Sequence, residues 1–283
     1  MHTARRLEIA AVLLATAAST VARADVSHHQ GGSPGQLSLV GVDRLALTEQ
    51  EHTTDLQLFG SFLHASEKLD GNAQRVALEG GGSIRNVGFN IYGEYRFARG
   101  WAASLLTGVQ RLDVDMPGAP DTIYSVSDTQ ISGRYTRDVS PAVSVTAAVS
   151  VKLPGTYPES EATGVKQIDL ETKLLAAVHR LGSDHVSLVV GLGYKLRLST
   201  IQDEITPTLL IPVRAGRFTT AAGIMGGIAI GNGSLKKDTL ALGATLGFRI
   251  SPVTELTAAY YQTIYGHNVV AAHIATLGVA AKL

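Results

Sequence analysis

Cysteine is absent from the 283 residues, tryptophan occurs once, and only 17% of the residues are charged. The missing cysteine excludes a disulfide scaffold, a thiolate metal site and a cysteine nucleophile. Basic and acidic residues stand at 24 each, which removes the electrostatic footprint of a nucleic-acid binder. No apolar run reaches the about 18 residues that a membrane helix needs. The nearest, Phe218 to Leu235, is interrupted by Gly223, Gly226, Gly227, Gly231 and Gly233. Aromatic residues are also few, at 6%. Yet hydrophobic residues make up 45% of the chain, an ordinary share, while the charge falls below the about 25% of a soluble domain. That combination needs an arrangement to explain it.

Two patterns supply one. Residues 1–24 have the form of a secretory signal peptide: Arg5 and Arg6, an apolar stretch from Ile9 to Ala18, then Ala22-Arg23-Ala24 as a cleavage site. Export with cleavage before Asp25 is expected. Beyond it, apolar residues recur at every second position. From Val143 to Leu153 the odd positions are Val143, Val145, Ala147, Val149, Val151 and Leu153, separated by Ser144, Thr146, Ala148, Ser150 and Lys152. Such alternation describes a strand with one dry face and one polar or small face.

About twelve segments of this kind follow one another, at 54–64, 86–97, 101–111, 128–137, 142–153, 167–179, 185–198, 205–214, 217–230, 239–250, 254–264 and 270–283. Each is close to the roughly 9–11 residues of a tilted membrane-crossing strand. The segment 205–214 is the weakest, because Pro207 and Pro212 lack ladder donors. Short connections, near 98–100, 138–141, 182–184, 215–216 and 251–252, alternate with longer ones. The expected fold is all-β: a transmembrane antiparallel up-and-down barrel of about twelve strands in the bacterial outer membrane, with the short turns periplasmic. The domain reading is a signal peptide at 1–24, a linker or short periplasmic or plug segment at 25–52, and the barrel at 53–283. Trp101, Tyr92, Tyr95, Phe97, Tyr194, Phe248, Tyr260, Tyr261 and Tyr265 are expected in sparse interfacial belts.

If the apolar face meets lipid, the other face lines the lumen. That sends Asn90, Tyr92, Glu94 and Arg96 inward from the second segment, and Asp128, Gln130, Ser132 and Arg134 from the fourth. Lys152 follows from the fifth. Gln167, Asp169, Glu171 and Lys173 come from the sixth, Lys195 and Arg197 from the seventh, and Arg249 and Glu255 from later ones. Charges are costly toward lipid and tolerable in a hydrated interior. They either line a pore for solute or neutralise one another and brace a closed lumen.

Four stretches carry a resemblance: "SVSDTQISGRYT" at 125–136, "VSVKLPGTY" at 149–157, "QIDLETKLLAAVHRL" at 167–181 and "VVGLGYKLRL" at 189–198. Together they resemble the MetA-pathway phenol-degradation family of outer-membrane barrels, with Ser127 where that family favours glycine and Pro154-Gly155-Thr156 transposing its P-T-G. The resemblance implies transport of small solutes, hydrophobic or aromatic compounds among them. It also implies that Asp128, Arg134, Lys152 and Asp169 are lumen-facing polar members, with Pro154 and Gly155 turning the chain out of the fifth strand. The alternative is a structural or adhesive barrel with a closed lumen.

Catalytic patterns are poor. No mature histidine stands beside a serine in a recognised motif, and neither H-E-x-x-H nor G-x-S-x-G occurs. His64, His185 and His267 read as solvated, and "GNGSLKK" at 231–237 reads as a turn. Asp113, Asp115 and Asp121 lack the glycine and glutamate of a calcium loop. No enzyme activity, metal or cofactor is therefore expected. The expected partners are outer-membrane lipid, small solutes and, during biogenesis, the barrel-assembly machinery, without nucleic acid.

Overall fold

A computed structural model describes residues 53–117, 122–157, 166–182, 185–198, 202–230 and 238–283. The signal peptide, the 25–52 segment, Asp121 and the 231–237 turn lie outside the described residues. Within them the alternating segments form strands β1 (Thr53–Ala65), β2 (Ser83–Ala98), β3 (Trp101–Asp115), β5 (Val143–Leu153), β6 (Asp169–Val178) and β7 (Leu188–Arg197). β8 (Glu204–Ala215), β9 (Phe218–Ala229), β10 (Thr239–Arg249), β11 (Thr254–Gly266) and β12 (His273–Lys282) complete the run. β4 comes in two pieces, Thr122–Val126 and Thr129–Ser140, which pair successively with the far and near parts of β3. Counting β4 once, the sheet is a closed antiparallel barrel of 12 strands.

Closure is made by β1, which pairs with β2 on one side and β12 on the other. Thr54 and Leu283 exchange backbone hydrogen bonds of 3.0 and 2.8 Å, so β1 starts beside the end of β12. An even strand count requires that placement. A closed wall leaves no edge unpaired, which matters where no water is available to backbone groups.

The short connections are tight. Arg99 and Gly100 alone join β2 to β3, with Gly100 at φ +77°. A Cβ on Gly100 would also collide with the carbonyl oxygen of Thr136. At the other end, the β1–β2 and β11–β12 loops meet. Glu67–Leu69 pairs with both Arg75–Ala77 and Val269–Val270 in a small separate sheet that alternation did not reveal.

β8 forms despite its two prolines. Its ladder to β9 skips Thr206 and Pro207, while Pro207 still stands opposite Leu192 on β7 and Pro212 opposite Ala221 on β9. Each proline removes one donor, and a strand held on both sides keeps enough others.

Alternation separates two faces along every strand. Outward lie Leu58, Phe62, Phe89, Ile91, Leu105, Leu174, Leu192, Leu209, Leu242, Leu246 and Leu277, all exposed. An apolar belt of this extent around a whole sheet is untenable in water and is what a bilayer covers. At the short-turn end, Trp101 and Tyr135 stack with ring centroids 4.8 Å apart, and Phe218 and Phe248 at 5.0 Å. Tyr194, Tyr260 and Tyr265 lie outward toward the long-loop end. Tyr92 and Tyr261 do not belong to the belts: Tyr92 shares the face of Glu94, and Tyr261 is buried inside. Strand parity decides this, whatever the residue type.

Candidate lumen site

The inward charges gather in clusters set by register. In the first, Glu94 accepts from both ends of Arg134, with Nη2 at 2.6 Å and Nε at 3.0 Å. Arg96 lies 3.4 Å from the same carboxylate and 3.2 Å from Asp55. The Tyr92 hydroxyl donates to Glu94 at 3.0 Å, and Arg134 donates onward to Thr136. Two guanidinium groups thus face two carboxylates in the half of the wall nearest the short turns. All four are largely buried, so the charges are held against one another with little water between.

The second cluster sits toward the long loops on β4 to β6. Lys152 places its ammonium 3.1 Å from Asp128 and 2.9 Å from Asp169. Lys152 and Asp169 are direct cross-strand partners, the position at which opposite charges stabilise a sheet. The third follows at once on β6 to β8. Glu171 stands opposite Lys195 in the ladder, with Lys173 at 3.1 Å and the Thr206 hydroxyl donating to it at 2.6 Å. Glu204 takes Lys195 at 3.3 Å and pairs with Arg197. Arg249 also faces the lumen side, near the short turns and opposite Glu255 in register, apart from these clusters.

Every charge assigned inward from the sequence therefore lies on the inner face, and all but Arg249 and Glu255 enter one of these three clusters. Asp55 and Glu204, which complete two clusters, went unassigned. Glu204 precedes the segment 205–214, and Asp55 lies in the first segment, whose inward side was not drawn. Extending the alternation of 205–214 by one residue finds Glu204, and the alternation of 54–64 itself contains Asp55.

β5 ends at Leu153, and the chain leaves the strand at Pro154 and Gly155 while staying against the wall. Thr156 exchanges hydrogen bonds with Val126 on the first piece of β4, its amide donating to the carbonyl at 3.1 Å and its hydroxyl accepting from the amide at 2.9 Å. A Cβ on Gly155 would collide with the carbonyl oxygen of Val126, so only glycine allows this approach.

The remaining wall, β9 to β12, differs in kind. Its inward residues include Thr219, Ala221, Gly223, Ala241, Gly243, Thr245, Thr276, Gly278 and Ala280. Several large side chains lie on a neighbouring glycine. The Tyr261 ring covers Gly243, Leu210 covers Gly223, and the Glu255 carboxylate covers Gly247.

The histidines also differ from the sequence expectation. His267 is partly buried with Nδ1 2.9 Å from Asp238, and His179 Nε2 lies 3.0 Å from the Ser144 hydroxyl. Ser144 is 1% exposed, so this pair has no room for a substrate and the geometry is that of a wall contact. Asp113 is engaged by Arg111 and Thr122. Among the described residues no group of three metal-binding side chains occurs.

No protein-family profile matches the chain, and no curated protein resembles it in sequence. Solved structures do resemble it in shape. An outer membrane channel from Pseudomonas putida F1 matches with a TM-score of 0.71 at 11% identity, over 83% of this chain and 97% of the channel. The NanC porin matches with a TM-score of 0.52 at 10% identity, over 81% of this chain and 100% of the porin. The β domain of the Bordetella autotransporter BrkA matches at 0.50 and 12% identity, over 83% and 100%. The fold is that of an outer-membrane β-barrel. At these identities the likeness extends to the fold alone.

Proposed function

We propose that this chain is an outer-membrane channel for small solutes, with hydrophobic or aromatic compounds as its substrate class, exported through the 1–24 signal peptide and inserted by the barrel-assembly machinery. One observation carries the reading. An inner wall of mostly small residues, charged only toward the short turns at Arg249 and Glu255 among the residues assigned inward, runs along β9 to β12, facing a wall of charges that are already paired, and the Tyr261 ring lies flat on Gly243 instead of reaching for the axis. A lumen meant to be filled would instead be packed with large interdigitating side chains. Paired charges hold the opposite wall in shape without presenting a single sign to a passing solute, which suits compounds of low charge. The aromatic and hydrophobic class follows from the family resemblance of 125–198 and from the wall of small residues. On this reading the chain does no catalysis and holds no cofactor.

The mutual pairing of Glu94, Arg134, Lys152, Asp169, Lys195 and Glu204 also favours a second reading, a structural barrel with a closed lumen. Planar-bilayer recording separates the two. Stable unit currents from the purified protein support the channel, and silence over many verified insertions supports the closed barrel. Liposome swelling with a panel of sugars, amino acids and aromatic acids then tests the substrate class.

A further inference from the structure

We infer that Tyr157 sets the outer constriction of the lumen, held there by a hydrogen bond to Asp128. The inference rests on the channel reading above and names the residue that would limit passage.

Asp128 occupies the break in β4, between its two pieces. One carboxylate oxygen accepts from the Gly155 amide at 2.9 Å and from the Tyr157 hydroxyl at 2.7 Å, and the other lies 3.1 Å from Lys152. Asp128 is therefore fixed by a cation behind it and clamps two groups of the chain that has just left β5. Because Thr156 stays bonded to Val126, the chain cannot swing away from the wall between those points. The Tyr157 side chain then lies inside, its hydroxyl on Asp128.

The ring lands on a prepared surface. Tyr157 is 4% exposed and belongs to an apolar cluster with Leu63 of β1, Ile84 of β2, Leu112 and Val114 of β3 and Ile123 of β4, which Leu78 and Ala272 of the neighbouring loops join. The strand residues among them belong to the inner face at the long-loop end and form an apolar patch there, separate from the smaller apolar cluster of Leu175, Val189 and Leu210. A side chain anchored beside β5 thus joins a cluster that spans strands several places around the barrel. No other described connection places an aromatic ring in this apolar patch. An aromatic ring held over the inner face and hydrogen-bonded to the wall narrows a barrel at that height, as pore dimensions and lining determine selectivity in channels generally.

The two parts of the arrangement have separable roles. The ring fills the patch, while the hydroxyl bond to Asp128 keeps it there. Tyr157→Ala removes both, and Tyr157→Phe removes only the donor.

The experiment uses the full-length protein, folded as judged by heat-modifiable mobility on gels. Because the chain has no cysteine, a single Leu112→Cys substitution reports on the patch through its reaction with a bulky maleimide. Expected in planar bilayers are a unit conductance for Tyr157→Ala at least about twice that of the parent and, for Tyr157→Phe, switching between the parent and the larger level. Maleimide labelling at Leu112→Cys should be slow in the parent and fast with Tyr157→Ala. Unchanged conductance in Tyr157→Ala, with a folded and conducting barrel, overturns the inference. If neither protein conducts, the channel reading fails and labelling alone decides: acceleration upholds the placement of Tyr157, and equal rates overturn it.

Discussion

Arg134 on β4 reaches over the whole width of β3 to grip Glu94 on β2. The register explains how. At this height β3 presents Ala102 and Ser104 to the interior, opposite Arg134 and Ser132 on one side and Arg96 and Glu94 on the other. Two small side chains leave a trough, and a guanidinium spans it in the bidentate geometry that arginine favours. Three consecutive strands are tied by one contact, in addition to their ladders.

Removing Glu94 should therefore be severe. Glu94→Ala leaves Arg134 without its carboxylate and Arg96 with Asp55 alone. Loss of one partner of a buried pair costs about 3–5 kcal/mol, so the urea midpoint of the folded gel band should drop sharply. Arg134→Lys keeps the charge but not the bidentate grip and should fall between Glu94→Ala and the parent. A Glu94→Ala midpoint equal to the parent's would show that the network does not brace the wall.

The trough itself can be filled. Ala102→Leu keeps β3 apolar at that position but places a branched side chain under the arginine. Overpacking typically costs about 1–3 kcal/mol, and here it should also part Arg134 from Glu94. A double-mutant cycle with Arg134→Ala reads the coupling: the two losses should be less than additive, and full additivity would separate Ala102 from the contact.

Lipid and lumen faces predict opposite outcomes for neighbouring residues. Leu174 is 58% exposed on the outer face, whereas Lys173 lies inside beside Glu171. Leu174→Arg near the middle of the apolar belt should cost about 2–4 kcal/mol and impair assembly, because the charge loses water without gaining a partner. Lys173→Glu should still fold, since Lys195 remains opposite Glu171, and should shift reversal potentials in a salt gradient toward cations. Normal assembly of Leu174→Arg together with failure of Lys173→Glu would reverse the faces of the entire sheet.

The wall of small residues depends on Gly243. Any Cβ there overlaps the Tyr261 ring, so Gly243→Ala should lift the ring off β10 toward the axis. The expected results are a lower urea midpoint and a smaller unit conductance. Adding Tyr261→Ala should restore the conductance by removing the displaced ring. If conductance stays low in the double variant, the ring is not the obstruction.

Strand positions, faces and closure were legible from alternation alone, because a period of two is a local property that each strand repeats independently. Even the proline-bearing β8 revealed its place, and the inward parity of Glu94, Asp128, Lys152, Lys195 and the rest followed from the same counting. Alternation does not specify distance across strands. That Arg134 meets Glu94 two strands away depends on the stagger of β2, β3 and β4 and on the two small residues between them. The course of 154–157 after its exit from β5 was not legible for the same reason. Pro154 and Gly155 signal a turn in any context, but its direction is set by the break in β4, where Asp128 and Val126 capture the chain from outside its own strand. Residue pattern settled which side each residue faces; only the closed tertiary wall determined which residues touch.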